Sequence, residues 1–521
     1  MGGQRMTISN KQYARLRSVA IVSLVLLVIY LFLLHPDQSL SSSRATTTTF
    51  DDFPAPSYDG DSDSGAKGRL PQKLKMTLTP ELLNNRFMTL QQCANTFPGL
   101  TKEIDDVVAK GPFTLTKPSD LGPLIARIKE GKLYILQSTR RTDLSEDMLQ
   151  HRSASLHQIA AALLTAPHPA EIPDTVFAFN HRDDPAAATF SYSRPADPSL
   201  NQPTRGYFPI PHFSFWSWPL PFIGSMSRAA AAIRDLEYGT TDGQGKKNNA
   251  ALSWRDKDPR AVWRGTGHFN NVRAGRMRQE LLLTAAGKPW SDVAALQWTD
   301  GGANASNALS IEDFCRYRYI VHTEGITYSG RFQFHQLCAS VILTPPLAWM
   351  QHLTHLVRPV FSYDLPSLAS SSEPTATTIE RKLRPPKVYE SGVQEKLSLA
   401  PYPAPWVQQA WPRHQEHGHD TGHDDDQGPN MVFVAPDWSD LEGVVAWLEA
   451  HPRVAEGIAR RQRSLFDGRG YFSPAAEMCY WRAALRGWSR AVRYEDGPGS
   501  ELAALGDGMP WEEFSLKEIH R

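Results

Sequence analysis

The sequence has no excess of charge of either sign. Lysine and arginine together number 55, as do aspartate and glutamate, so the formal net charge is zero. Outside the N-terminal region there is no long basic segment. Proteins that bind nucleic acid need a basic patch or stripe that faces the phosphate backbone, so we expect no nucleic-acid partner.

Cysteine is also scarce. The chain has four, Cys93, Cys315, Cys338 and Cys479, and none of them lies in a CxxC pair or at zinc-finger spacing. The pattern therefore supports neither a zinc site nor a Cys–His nucleophile. In an oxidising compartment the four cysteines can form two disulfides by any of three pairings.

The chain is long, and it is rich in residues that interrupt regular structure. Its 521 residues are enough for two or three domains. The 39 prolines and 35 glycines indicate long irregular segments around a folded core.

One long hydrophobic run lies near the N-terminus, from Val19 to Leu34. At about 1.5 Å per residue it is roughly 24 Å long as a helix, which suits a thin early-secretory bilayer. Basic residues precede the run, and this bias keeps the N-terminal side in the cytosol. The run is long for a cleaved signal peptide and no small-x-small cleavage site follows it, so we favour an uncleaved signal anchor.

Composition divides the chain into segments. Residues 36–73 are rich in Ser, Thr, Asp, Pro and Gly and nearly free of aliphatic residues, which indicates a disordered stem. A second low-complexity stretch interrupts the later globular sequence. The predicted segments are a cytosolic tail at 1–17, a transmembrane anchor at 18–35, the stem at 36–73, an N-terminal lobe at 74–235, a C-terminal lobe at 236–500 with a disordered insertion at 365–430, and a C-terminal tail at 501–521.

The stretch from 318 to 344 has the pattern of a parallel α/β unit. A short aromatic and β-branched strand at 318–323 leads through a loop to a predicted helix at 330–339, and an apolar strand follows at 341–344. This order is typical of parallel sheets, in which ligands bind at the carboxyl ends of the strands.

Ser329, Gly330 and Arg331 lie at that junction. Free backbone N–H groups at the start of a helix, next to a guanidinium, suit a phosphate or diphosphate. The alternative is that Arg331 is only solvated, or paired with a carboxylate such as Glu324.

A second loop of arginine and glycine, at 264–267, follows a short apolar strand. The small residues let backbone N–H groups approach an anion closely, and Arg264 adds positive charge. Arg273 lies just beyond. Glycines after a strand usually form only a turn, so this loop alone is weak evidence for an anion site. The second arginine and glycine loop, at 329–331, makes the interpretation stronger.

Asp183 follows a predicted strand at 174–180 and precedes Asp184 and Pro185. A carboxylate at a strand end can take a proton from a hydroxyl nucleophile. The competing interpretation is a turn-forming Asp-Asp-Pro, which by itself is the stronger of the two.

No metal site is predicted. Asp256 and Asp258 have the spacing of a paired-carboxylate metal clamp, but no apolar strand precedes them. A tract of histidine and aspartate at 414–426 resembles a zinc-binding tract in composition alone. The sequon at Asn304 lies in a polar loop and predicts N-glycosylation on a lumenal face.

Several pieces of the sequence, in their order, resemble glycosyltransferase family 90, which contains the fungal capsule-associated proteins and the animal protein O-glucosyltransferases. They cover roughly Ile172 to Val492 without the insertion, and the ordered set is specific although no single piece is. The pieces are FAFNHRDDP, the W-x-D-K and WRGTG pair, FCRYRYIVHTEGITYSGRFQFHQLCASVILTP, and the closing MVFVAPDWSDLEGVVAWLEAHPRVAEGIARR and MCYW.

The resemblance implies a fold of the GT-B type, in which two Rossmann-like lobes face a cleft, and an inverting transfer from a UDP-sugar. With arginines on the diphosphate no metal cofactor is required, which leaves Mn²⁺ assistance open. The implied site residues are the base Asp183 and, for the nucleotide sugar, Arg264, Gly265, Arg273, Ser329, Gly330 and Arg331.

Three features depart from the animal members, namely the membrane anchor with its stem, the absence of an ER-retrieval tail, and the insertion. The anchor points to a single-pass type II protein of the Golgi membrane and to the fungal branch, whose known activity is xylose transfer to glycans. We therefore expect a UDP-sugar donor and a glycan or glycoprotein acceptor.

Two alternatives stay open. One is a protein O-glucosyltransferase of the secretory pathway. The other is a catalytically inactive lumenal glycan-binding protein, and the presence of Asp183, Arg264 and Arg331 together argues against it.

Overall fold

The structure is a computed structural model that describes most of the chain after the predicted stem. The predicted cytosolic tail, membrane anchor and stem lie outside the described residues, and the anchor stays a prediction. Within the described ranges, no helix has both the length and the apolar character needed to cross a bilayer. The described residues are 78–119, 122–201, 206–240, 250–269, 275–368, 405–411 and 428–519.

The described residues form helices and mostly short strands. The helices are α1 (Pro80–Leu83), α2 (Leu90–Thr96), α3 (Lys102–Ala109), α4 (Glu146–Leu164), α5 (Met226–Tyr238), α6 (Met277–Ala285), α7 (Phe332–His335), α8 (Pro405–Ala410), α9 (Leu441–Ala450), α10 (Pro452–Arg463), α11 (Pro474–Ala491) and α12 (Trp511–Ile519). The strands are β1 (Phe113–Thr114), β2 (Leu124–Lys129), β3 (Lys132–Gln137), β4 (Thr175–Phe179), β5 (Thr189–Ser191), β6 (Arg194–Pro195), β7 (Tyr207–Pro209), β8 (Asp258–Gly265), β9 (Ser291–Ala295), β10 (Trp298–Thr299), β11 (Asn304–Ala305), β12 (Tyr317–Val321), β13 (Val341–Thr344), β14 (Trp349–Met350), β15 (Pro359–Phe361), β16 (Met431–Phe433), β17 (Val492–Arg493) and β18 (Met509–Pro510).

The later half of the chain contains a six-stranded parallel sheet in the order β15-β16-β13-β12-β8-β9. Every residue of β13 is buried, as expected for a strand covered on both faces. The strands predicted at 318–323 and 341–344 are β12 and β13, which pair in parallel with Tyr319 opposite Val341. The prediction of a Rossmann-like parallel sheet is confirmed for this half.

The sheet of the earlier half is mixed rather than parallel. Its order is β18-β3-β2-β4-β5-β7, with antiparallel pairing from β18 to β4 and parallel pairing from β4 to β7. The cause is a tight turn at Glu130 and Gly131, which both have positive φ, at 52° and 72°. Two such residues form the kind of hairpin turn that joins antiparallel strands, so this lobe is Rossmann-like only in its parallel part.

The end of the chain returns to the earlier half. Helix α11 packs against α3 and α4, and the indole of Trp488 donates to the main-chain oxygen of Val176 at 2.9 Å. Strand β18 then pairs with β3, and α12 follows. The predicted C-terminal tail at 501–521 is therefore largely part of the first sheet and its cover, because Trp511 and Phe514 are buried in the same core.

The predicted insertion at 365–430 contains ordered pieces. Residues 362–368 form a 3₁₀ helix, and α8 follows after a gap in the described residues. Val407 and Trp411 are buried, with the Trp411 ring 5.2 Å from that of Phe433. Apolar side chains in an otherwise low-complexity stretch thus attach it to β16, and the prediction of disorder is wrong for these pieces.

Two disulfides select one of the three pairings. Cys93 bonds Cys479 across 386 residues, and Cys315 bonds Cys338 across 23. The first joins α2 to α11, and the second joins the segment before β12 to the turn after α7. The longer loop restricts the unfolded chain more.

Removal of the long-range disulfide should therefore destabilise the protein more than removal of the short-range one. The loop-closure entropy corresponds to about 6 kcal/mol for Cys93–Cys479 and about 3 kcal/mol for Cys315–Cys338. We expect the Cys93→Ala/Cys479→Ala variant to show a larger fall in Tm than the Cys315→Ala/Cys338→Ala variant in scanning calorimetry. Equal falls in Tm would contradict this ranking.

Candidate active site

A cavity of about 240 Å³ brings together residues from both halves of the chain. Asp183 reaches it from the loop after β4. The later half contributes Gly265 at the end of β8 and the loop at 329–331. The structure thus places the predicted residues Asp183, Gly265, Ser329, Gly330 and Arg331 around one space.

Asp183 is held by the opposite half of the chain. Thr327 donates its hydroxyl to the main-chain oxygen of Asp183 at 2.9 Å, and the Tyr328 hydroxyl lies 3.4 Å from Oδ1. The carboxylate is accessible from the cavity, yet protein surrounds it closely. This desolvation, together with the charge of Asp184, raises the pKa of Asp183, and the Tyr328 hydrogen bond opposes the shift. Asp183 is therefore a stronger base than an aspartate in water.

Asn180 shapes the loop that carries Asp183. Its Oδ1 accepts from the Arg182 N–H at 3.2 Å, and its own N–H donates to the main-chain oxygen of Phe190 at 2.9 Å. Its amide also contacts the Ser191 hydroxyl at 3.4 Å. These three contacts explain why an asparagine follows β4, and sequence reasoning missed this positioning role.

Arg278 and Arg331 form an arginine pair at the cavity wall. Arg278 is 5% exposed and donates to the main-chain oxygens of Glu324 and Thr266, each at 3.0 Å. Arg331 donates to the main-chain oxygen of Arg264. Burial lowers the pKa of Arg331 to about 10, and burial followed by the charge of Arg331 lowers the pKa of Arg278 to about 9.

Carbonyl oxygens hold the arginine pair in place but do not neutralise it. In the part of the chain that the structure describes, neither guanidinium forms an ion pair with a carboxylate. An enclosed charge without a counter-ion is costly, so the site favours an anionic ligand. No pattern in the sequence pointed to Arg278, which lies within α6 rather than at a strand end.

Arg264 does not face the cavity. Its guanidinium donates to the main-chain oxygen of Asp292 and to Asp292 Oδ1, both at 2.7 Å, and to the main-chain oxygen of Asn307 at 3.2 Å. Side chains alternate along β8, so Trp263 and Gly265 lie on one face and Arg264 on the other. The structure therefore directs the Arg264 side chain away from the cavity, where the sequence predicted a contact with the diphosphate. Only the main-chain carbonyl of Arg264 contributes to the site, by accepting a hydrogen bond from Arg331.

The loop at 329–331 is not the start of a long helix. Helix α7 has a single turn, Phe332–His335, where the sequence predicted a helix over 330–339. Strand β13 begins at Val341, so the chain reverses directly after the turn. A single turn has too few aligned peptides for a substantial dipole, so anion binding here depends on the guanidiniums.

Gly265 and Gly330 are required by close packing. A Cβ on Gly330 would lie 2.5 Å from Cε1 and 2.6 Å from Nε2 of His212. A Cβ on Gly265 would lie 2.6 Å from the Trp263 ring and 3.1 Å from Nη2 of Arg331. Both glycines thus let a cavity side chain approach the backbone.

Aromatic side chains form the outer wall of the cavity. Phe269 and Trp298 are 42% and 39% exposed, and the Phe222 ring lies 6.2 Å from that of Trp298. Trp218, from the aromatic and proline-rich segment that follows β7, also lines the cavity. Flat, partly exposed rings suit the faces of a base or a sugar.

The remaining predicted residues lie elsewhere. Arg273 falls outside the described residues, as does the histidine tract at 414–426. Asn304 is exposed in β11, away from the cavity lining. The Asp258 carboxylate pairs with Arg260 at 2.6 Å, and among the described residues no group of three or more His, Cys, Asp or Glu side chains is placed to hold a metal ion.

The positions of the two arginines predict different effects of their removal. Arg331→Ala should weaken binding of UDP, the nucleotide that the sequence resemblance implies, by about 10- to 100-fold, because a charge-assisted hydrogen bond is lost. Arg264→Met should lower Tm, since Asp292 loses a partner, but leave UDP affinity nearly unchanged. Isothermal titration calorimetry of both variants with UDP measures this contrast. A larger loss of UDP affinity in Arg264→Met than in Arg331→Ala would show that Arg264 binds the anion.

Part of this chain matches known proteins in sequence. Residues 124–369 match the family described as Glycosyl transferase family 90. O-glucosyltransferase rumi of Drosophila melanogaster is 25% identical over 128 residues, which are 23% of this chain and 29% of the fly protein. Protein O-glucosyltransferase 1 of Homo sapiens is 22% identical over 264 residues, 46% of this chain and 59% of the relative, and the Bos taurus protein gives the same figures. The chain thus matches less than two thirds of the length of these relatives. Residues 124–369 of this chain are a glycosyltransferase family 90 domain.

Proposed function

We propose that this protein is an inverting glycosyltransferase that moves a sugar from UDP to a glycan acceptor. Xylose is the expected sugar, and the expected location is the Golgi lumen, with the N-terminal hydrophobic run as a type II membrane anchor. The observation that carries the proposal is that Asp183 and the arginine pair line the same cavity.

In the proposed reaction, Asp183 takes the proton of an acceptor hydroxyl while the hydroxyl oxygen attacks the anomeric carbon of the donor sugar. The bond from that carbon to the diphosphate breaks on the opposite face, so the configuration inverts. UDP leaves with increased negative charge beside Arg278 and Arg331. Fixed donors that meet developing charge are usually a large catalytic contribution, about 10²–10³ in rate for one donor.

The surroundings of the arginine pair support the choice of leaving group. Two guanidiniums without carboxylate partners among the described residues suit a diphosphate, which carries charge on several oxygens. We therefore propose that the reaction needs no metal ion. The half-exposed rings of Phe269 and Trp298 offer flat surfaces for the uracil base or for a sugar.

A second candidate function is transfer of glucose to a protein acceptor. It is favoured by the relatives, whose names describe them as O-glucosyltransferases. The two candidates share the chemistry at Asp183 and differ in donor sugar and acceptor.

A panel of UDP-sugars separates these candidates. The full-length protein should release UDP from UDP-xylose faster than from UDP-glucose, with oligosaccharide acceptors preferred over peptides, and EDTA should not change the rate. Preference for UDP-glucose with a peptide acceptor would favour the second candidate. No turnover of any UDP-sugar would refute both.

Asp183→Asn should lower kcat by about 10²–10⁴-fold and leave UDP affinity near that of the wild type, because the base acts only on the acceptor proton. The wild-type rate should rise with pH through the raised pKa of Asp183, since the ionised form is the base. Because the pKa of Asp183 is higher in the folded than in the unfolded chain, ionisation of Asp183 at higher pH destabilises the fold. Asp183→Asn removes this ionisation, so it should not lower Tm at neutral pH.

Asp184→Asn is the matched control. It keeps the base but removes the charge that raises the pKa of Asp183, so the acid limb of the pH–rate profile should move to lower pH. Retained turnover in Asp183→Asn would remove Asp183 from its role as base.

A further inference from the structure

His212 lines the cavity and has no role in the reaction described above. It precedes a 3₁₀ turn at Phe213–Phe215 and is 3% exposed. Its ring packs 5.6 Å from that of Tyr328 and 5.4 Å from that of Trp218, measured between centroids. These contacts fix the plane of the imidazole.

Hydrogen bonds also fix the position of its proton. Nδ1 accepts from the Ser214 backbone N–H at 3.2 Å and lies 2.8 Å from Ser214 Oγ. Because the backbone N–H of Ser214 donates to Nδ1, this nitrogen is an acceptor, and the Ser214 hydroxyl, which itself accepts from the Gln333 side-chain amide at 2.7 Å, donates its hydrogen to it. Nδ1 therefore carries no proton, and a neutral ring must carry its proton on Nε2.

The ring is neutral because it is enclosed. Burial, followed by the neighbouring His151 and His352, holds the pKa of His212 well below its usual range. In the part of the chain that the structure describes, no protein acceptor lies within hydrogen-bond distance of Nε2. His212 thus presents one N–H donor at the cavity wall without a protein partner there.

The position of this donor indicates what it contacts. The Nε2 edge lies against Gly330, which precedes Arg331 in the chain. The Tyr328 ring, which packs on His212, carries the hydroxyl next to Asp183. His212 is thus in contact with Gly330, which adjoins the anion site, and with Tyr328, which adjoins the base.

We propose that His212 donates a hydrogen bond from Nε2 to a hydroxyl oxygen of the transferred sugar, and so acts as a specificity-determining residue. This inference rests on the proposed function. A fixed neutral donor suits a hydroxyl, which accepts a hydrogen bond without carrying charge. A sugar that lacks or inverts that hydroxyl would leave the donor unpaired, and such a loss discriminates strongly between substrates.

Two amide variants separate the two ring nitrogens. The side chain of Asn reaches as far as Nδ1, so His212→Asn keeps an acceptor for Ser214 but loses the donor into the cavity. The side chain of Gln reaches as far as Nε2, so His212→Gln keeps that donor and loses the acceptor. A purely structural role predicts that Asn is the better replacement, and the proposed role predicts that Gln is.

The measurements are UDP affinity, and kcat/KM for UDP-xylose or for the UDP-sugar that the wild type turns over fastest. We expect His212→Asn to lower kcat/KM by about tenfold or more and His212→Gln by clearly less, with UDP affinity within about threefold in both. An Asn variant at least as active as the Gln variant would overturn the inference. Absence of UDP binding by the wild type would instead refute the proposed function.

NMR of the histidine ring nitrogens tests the same point without a variant. In full-length protein with ¹⁵N-labelled histidine, the proton of His212 should be on Nε2, and this N–H should shift when UDP-sugar binds but much less with UDP. A proton on Nδ1, or equal shifts with both ligands, would overturn the inference.

Discussion

The site depends on two enclosed guanidiniums that have no carboxylate partner among the described residues. Arg278 and Arg331 are held by the carbonyl oxygens of Thr266, Glu324 and Arg264, which orient the charges but do not cancel them. Such an arrangement persists only when the surrounding fold is stable enough to bear its cost. The parallel sheet supplies that stability, because β8 and β12 are interior strands whose carboxyl-terminal parts are largely buried and lead to the loops that hold the arginine pair.

The opposing carboxylate is tied to the same framework. Thr327 and Tyr328 of the later half contact Asp183 of the earlier half, so the base is positioned by the loop that leads to Arg331. The separation between base and anion site is therefore fixed by a few residues of one loop. A ligand that bridges the two would be held by parts of the chain that already contact each other.

Much of this arrangement could be predicted from sequence, where local patterns decide the outcome. The two apolar strands on either side of the loop at 329–331 predicted a parallel α/β unit, and the order of its elements predicted that Arg331 lies near the end of a strand. Asp183 followed from the same reasoning. The direction of Arg264 could not be predicted in this way, because its partner Asp292 lies on a neighbouring strand. Arg278 was missed since it enters the cavity from a helix, whose position relative to the sheet is set by tertiary packing.

The return of the chain's last segment to the first sheet has a consequence for biosynthesis. Strand β3 obtains its partner, Met509–Pro510, only after the whole of the parallel sheet has been synthesised. Helix α11, which covers the core of the earlier half, is also synthesised late. The parallel sheet of the later half can form from residues made before these, although domains generally fold from the N-terminus during translation. Premature termination before Pro474 would therefore damage the half that was translated first, because such a fragment lacks both α11 and β18 and would expose the core that α11 normally covers.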